Sequence, residues 1–351
     1  LGHEIAHVTQ RHIAQIVGKQ SQSAMLMVAS LLVAVLAARS NSDVSQAAIA
    51  AGQAGAIQSQ LGYTRSFERE ADRVGLETLS GAGLDVRGMP SFFERLQRNT
   101  RVYENNAPAY LRTHPLTTER IADMENRVAS MPYRQVLDSA DFRYARAKLR
   151  ANAAQPAEAV KELQDQLARA PQDDALDYGL ARALLRAGRL DEAEQRVAAL
   201  RKSAPASSWV EGLAAEVRLA RKDAAGAVRT LEAAWKQFPA SRSLAYALAD
   251  ARIHAGQARE AAAGVRRMID TRNSDPRLWQ LLSRAHAELG QRTAQHRAQA
   301  EVYVLRGSLP AAIEQLEIAR KAGDGDFYEL SAVDARMREL KQRLLEEKRE
   351  R

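Results

Sequence analysis

The sequence predicts a mainly all-α protein in two parts, and three observations carry that reading. Aromatic residues make up 5% of the 351 residues while alanine and leucine dominate, a composition that suits packed helices rather than a β-sandwich. The opening stretch LGHEIAHVTQRH sets His3 and His7 four positions apart among uncharged neighbours, the spacing of a single helix face. From about residue 140 the chain repeats with a period of 34 residues, the signature of tetratricopeptide helix pairs. The length suffices for two or three domains. The division falls into residues 1–135 and a repeat domain over 136–351 with a C-terminal helical cap.

The totals narrow the class. Hydrophobic residues are 46% and charged residues 27%, an ordinary globular balance. The net charge of +8 favours acidic partners in general. The basic residues are dispersed rather than gathered in a stripe, so no nucleic-acid partner is expected. There is no cysteine, which excludes disulfides and thiolate metal sites and leaves the compartment open. The chain starts without methionine or a signal segment, and its first helix begins at once, with no room for a cap. This reads as a piece of a longer protein whose N-terminal part, with any export signal, lies upstream.

The elements follow in order. Residues 1–19 read as one helix, with Ile5, Val8, Ile13, Ile16 and Val17 at apolar positions. Residues 24–38, AMLMVASLLVAVLAA, carry no charge. As a helix they span roughly 22 Å, short of a bilayer core, and read either as a buried helix or as a peripheral membrane contact or lid. Residues 40–62 are rich in Ala, Gly, Ser and Gln and suit a loop over a cleft. SFEREADRVGLETLSGAGLD restores helical periodicity and ends at Gly81 and Gly83. MPSFFERLQRN is a short helix, and RTHPLTTERIADMENRVASMP is a loop followed by a helix that stops near Pro132. Beyond 140, Pro171, Pro205 and Pro239 keep the 34-residue spacing, as do Ala159, Ala193, Ala227 and Ala261, and Gly256 with Gly290. RGSLPAAIEQLEIARKAGDGD reads as one more, irregular pair, and ARMRELKQRLLEEKRER as a charged terminal helix.

His3 and His7 can point two imidazoles at one ion, with Glu4 one position round, where its carboxylate reaches an activated water. This H-E-x-x-H arrangement is that of zincin-type metallopeptidases: zinc acidifies water and polarises the scissile carbonyl, and the glutamate carries the proton. His12, five residues beyond His7, is expected to turn away as a surface or packing residue. A catalytic zinc wants a third protein ligand. On the helix over 67–79, Glu68, Asp72, Gly75 and Leu79 share one side next to Phe67, Ala71 and Val74. Arg69, Glu70, Arg73 and Glu77 form the opposite, solvated side, with Glu70 able to pair with Arg73. Buried carboxylates need partners. Glu68 is therefore expected to bind the metal and Asp72 to orient a ligand histidine. His114 precedes a proline, which places it in a loop, and Arg120 follows in the first turn of the next helix. The pair either holds a substrate oxyanion over a cleft, or His114 fills the metal's open position, or it packs locally.

HEIAH, EREAD and THPLTTER together resemble the HtpX/CaaX-endopeptidase type of zinc peptidase. The match falls on His3, Glu4, His7, Glu68 and Asp72, with His114 and Arg120 in the later His-Pro element. Repeats behind such a domain narrow the resemblance to periplasmic members that serve outer-membrane β-barrel proteins. It implies one zinc per chain, helping assembly of barrel proteins and degrading those that stall, and association with the barrel-assembly machinery through the repeats. It also implies a fourth-ligand, latch role for His114. The family's domain begins upstream of the zinc helix, so part of the cleft wall is expected to be absent. A different class of function, a chaperone or assembly scaffold with a latched or structural metal, competes with this one. Glu4 weighs against it, because a structural zinc does not need that residue.

Overall fold

Serine or aspartate stands at every thirty-fourth position before the repeats: Ser139, Asp173, Ser207, Ser241 and Asp275. Each is the residue before a helix. The hydroxyl or carboxylate of Ser139, Asp173, Ser207 and Asp275 accepts a backbone N–H of the first turn, the ordinary way to satisfy orphaned helix donors. The computed structural model describes residues 1–18, 64–100, 114, 116–203 and 206–349. The expectations for residues 24–38 and 40–62 lie outside these. The chain divides into two compact units, Leu1–Leu137 and Asp138–Arg351.

In the first unit, α1 is Gly2–Thr9, α2 covers residues 12–18, α3 residues 64–81, α4 Gly88–Thr100 and α5 Thr118–Ala129. The expected single helix over 1–19 is broken. The backbone N–H of Gln10 closes α1 on the carbonyl of Ala6, and Arg11 takes a left-handed φ of 55° before helix resumes. Helix resumes at residue 12 after this break, which apolar periodicity does not register. Gly83, at φ 73°, ends α3, and Leu84 N–H reaches back to the carbonyl of Leu79. Leu76, Val86, Met89, Phe93, Ile121, Met124 and Val128 form the core that holds α3, α4 and α5 together.

The second unit is built of helix pairs. The first helices are α6 (Ala140–Ala153), α8 (Asp174–Arg186), α10 (Ser208–Ala220), α12 (Arg242–His254) and α14 (Pro276–Glu288). Their partners are α7 (Pro156–Arg169), α9 (Leu190–Ser203), α11 (Ala224–Gln237), α13 (Ala258–Ile269) and α15 (Arg292–Leu305). Starts recur 34 residues apart in both series. The irregular last pair is α16 (Leu309–Lys321) and the long α17 (Phe327–Arg349). Each helix packs on the next, and the first helices of successive pairs also touch, which is how a helical solenoid buries a continuous core. Ala159, Ala193, Ala227 and Ala261 are all buried where the helices cross. Four of the five turns inside the regular pairs use a left-handed residue, Gly188, Gly256 and Gly290 with Lys222 at φ 65° in the matching position, whereas Ala154 in the first pair is extended at φ −97°. Among the described residues no helix is long and apolar enough to cross a membrane.

Candidate metal centre

Two glycines set the distance between the helices that carry the site. A Cβ on Gly75 would come within 2.9 Å of the His3 backbone nitrogen, and one on Gly2 within 2.9 Å of the Gly75 carbonyl oxygen. No side chain fits at this crossing, so α1 and α3 meet backbone to backbone. Gly75 lies seven residues after Glu68, two turns along one face of α3. Close contact at the crossing therefore brings Glu68 and Asp72 against the imidazoles of α1. Gly2, His3 and Ala6 are buried, whereas Ile5 and Val8, expected in a buried ligand helix, are 45% and 74% exposed. The reason is that α1 buries only the face that meets α3. Glu4 is solvent-exposed.

His3 Nε2 and His7 Nε2 stand 3.0 Å apart. Glu68 places Oε2 3.4 Å from His3 Nε2 and Oε1 3.3 Å from His7 Nε2. His114 brings Nδ1 to 2.8 Å from Glu68 Oε1. One ligand atom from each of the four residues lies within 4.8 Å of all the others. Two donors bound tetrahedrally at 2.0–2.1 Å to one small cation sit about 3.3 Å apart. The two imidazole nitrogens, 3.0 Å apart, and the two Glu68 oxygens, one 3.4 Å from His3 and the other 3.3 Å from His7, lie near that separation, and imidazole and carboxylate donors fit a borderline cation.

The surroundings fix these groups. His3 Nδ1–H donates to Asp72 Oδ1 at 2.9 Å. Arg120, expected over the cleft, is buried, and its guanidinium faces carboxylates. Nε donates to Asp72 Oδ2 at 2.7 Å and Nη2 to Asp72 Oδ1 at 2.8 Å, while Nη1 stands 2.8 Å from Glu68 Oε2. Phe93 covers both, edge-on to the His3 ring at 5.9 Å and under the Arg120 guanidinium at 5.5 Å. Thr117 caps α5 by accepting the Arg120 backbone N–H, which places Arg120 in the first turn, facing α3. Burial pushes the His3 imidazole down, but its hydrogen bonds and charge interactions with Asp72 and Glu68 outweigh that and raise it to about 9. Burial likewise pushes Glu68 up, yet its close contacts with the His3 and His7 imidazoles and the charges of Arg120 and His114 hold it far below the usual carboxylate range.

Two expectations need correcting. His12 does not turn away: with the helix broken at Arg11, the ring is 1% exposed, stacks on Phe67 at 4.6 Å and touches His7. Glu70 does not simply face solvent and pair with Arg73. It lies 3.4 Å from His12 Nε2, while Arg69 pairs with Glu119. The signal for His12 was present in the H-E-x-x-H-x-x-x-x-H spacing, but a continuous helix points that fifth position elsewhere.

The model of peptidase family M48 matches residues 1–128, and tetratricopeptide repeats match 150–217 and 218–285. The beta-barrel assembly-enhancing protease of Escherichia coli (strain K12) is 33% identical over 97% of this chain and 70% of its own length. The chain belongs to peptidase family M48. A second relative, the beta-barrel assembly-enhancing protease of Yersinia pestis, is 31% identical over 97% of this chain and 71% of its own length. A solved tetratricopeptide protein of Thermus thermophilus superposes with a TM-score of 0.34 at 18% identity, over 57% of this chain and 98% of that one. A superposition that loose carries no weight. With the M48 match the chain is a metallopeptidase, and its four-residue cluster lies within the matched region.

Proposed function

We propose that this M48 metallopeptidase is a zinc endopeptidase of the periplasm that acts on unfolded or stalled outer-membrane β-barrel proteins. In this reading the repeats over 136–351 collect clients and dock on the barrel-assembly machinery. The observation that carries it is the convergence of His3, His7 and Glu68, from two helices, at separations one zinc spans. Zinc, when bound there, supplies Lewis-acid polarisation of the scissile carbonyl and acidifies a water. The remaining roles fall to the chain. Glu4, exposed in the first turn between the two ligand histidines, takes the proton of the attacking water and passes it to the leaving amine. Asp72 holds His3 in the tautomer whose Nε2 lone pair faces the ion. Arg120 neutralises Asp72 and keeps Glu68 ionised and in place. The chain's relatives are named for barrel assembly, and the stacked helix pairs offer an extended surface suited to unfolded segments.

A second reading draws on His114. Its Nδ1 lies 2.8 Å from Glu68 Oε1 and one of its ring nitrogens within 4.8 Å of the other three ligand atoms; in this reading it completes the coordination and latches the centre shut. The protein is then a scaffold and chaperone until His114 withdraws. Two substitutions in the full chain separate these readings. Glu4→Gln is expected to keep fold and zinc while lowering cleavage of an unfolded β-barrel protein by roughly 10²–10⁴-fold; unchanged cleavage would defeat the peptidase reading. His114→Ala is expected to raise basal proteolysis. A loss of cleavage there would instead assign His114 to the transition state.

A further inference from the structure

The two ligand histidines are supported differently. His3 has a carboxylate directly behind it, Asp72 on Nδ1. Behind His7, among the described residues, stands a second imidazole rather than a carboxylate: His7 Nδ1 lies 2.8 Å from His12 Nδ1. His12 Nε2 in turn lies 3.4 Å from Glu70 Oε2. His12 is 1% exposed and its ring is stacked on Phe67, 4.6 Å between centroids and 23° between planes, so it stays in this orientation.

The proton positions along this chain are determined by its end. An ionised carboxylate can only accept, so Glu70 draws the His12 proton onto Nε2. His12 Nδ1 is left as an acceptor. The short Nδ1–Nδ1 contact then requires that His7 carry its proton on Nδ1. That leaves the lone pair of His7 on Nε2, the nitrogen that faces His3 and Glu68. The reverse arrangement, with the proton on His12 Nδ1, would force the His7 proton onto Nε2 and point an N–H at the other ligands. We propose that His12, backed by Glu70, is the positioning residue that fixes His7 in its metal-binding tautomer, a relay of imidazole and carboxylate that does for His7 what Asp72 does for His3. The proposal rests on His7 being a metal ligand.

The test uses the full chain with two substitutions. His12→Phe keeps a flat ring on Phe67 and removes the acceptor. His12→Asn restores an acceptor oxygen near the position of Nδ1. Two readouts are taken: zinc affinity by chelator competition, and the His7 tautomer from the ¹⁵N shifts of the metal-free protein. His12→Phe is expected to weaken zinc binding by about 10–100-fold and to move the His7 proton from Nδ1 to a mixture of tautomers, and His12→Asn to recover most of both. An unchanged tautomer in His12→Phe overturns the proposal, as does a His12→Asn that binds zinc no better than His12→Phe. The outcomes also separate this inference from the reading beneath it. Wild-type protein that takes up no zinc defeats the metal site itself, while the tautomer measurement still decides whether His12 orders His7.

Discussion

Behind Ala159 in the repeat unit stand Ala193, Ala227 and Ala261, each buried in the same way 34 residues on. Behind His3 in the peptidase unit stands nothing comparable. Its neighbours Asp72, Glu68, Phe93 and His114 come from α3, α4 and the segment before α5, and each occurs once. The difference teaches where single changes matter. A repeat shares its packing with equivalents on either side, so a flaw in one turn is tolerated, and Lys222 in a glycine position is such a flaw. The metal centre has no equivalents, and its geometry hangs on one crossing of two glycines.

Substitutions at one backbone position in each unit sharpen that contrast. The larger effect is expected for Gly75→Ala. The added methyl meets backbone, at 2.9 Å from the His3 nitrogen and 3.0 Å from the Gly2 carbonyl carbon, so the helices must part. A loss of about 1–3 kcal/mol in unfolding free energy is expected, typical of overpacking, together with weaker zinc binding. All three tryptophans, Trp209, Trp235 and Trp279, lie in the repeat unit. The loss should therefore be read by calorimetry as a step to which tryptophan fluorescence is silent. An undiminished zinc affinity would show that the crossing does not set the ligand geometry.

The smaller effect, of opposite sign, is expected for Lys222→Gly. A left-handed backbone costs a non-glycine residue roughly 1–2 kcal/mol, part of which returns as the extra chain entropy of glycine. The variant should gain up to about 1 kcal/mol, seen as a higher denaturant midpoint in tryptophan fluorescence. A drop would mean that the Lys222 side chain contributes more than its backbone costs.

The same contrast explains what was legible in the sequence. The repeats announce themselves because one pattern of prolines, alanines and glycines is written several times, and the structure adds the helix caps and the left-handed exception at Lys222. In the peptidase unit helical spacing puts the histidines on one face and both carboxylates on another, and the expectation that Glu68 joins the histidines came from the need of a catalytic zinc for a third ligand and of buried carboxylates for partners. His12 was misread because a single left-handed residue, Arg11, breaks the helix, and no composition or period marks such a residue when it is not glycine. Arg120 was expected to face substrate. Its burial against Asp72 and Glu68 depends on how α5 packs on α3, a tertiary fact that the loop-and-helix pattern does not contain.

The proposed cation shared by α1 and α3 underlies this account, and zinc X-ray absorption on the purified full chain, alongside Glu68→Gln, tests it most directly. One zinc per chain is expected in the wild type, with two imidazole nitrogens and a carboxylate oxygen at about 2.0–2.2 Å, and in Glu68→Gln the carboxylate contribution should vanish along with most of the bound metal. Identical coordination and occupancy in the two proteins would contradict it.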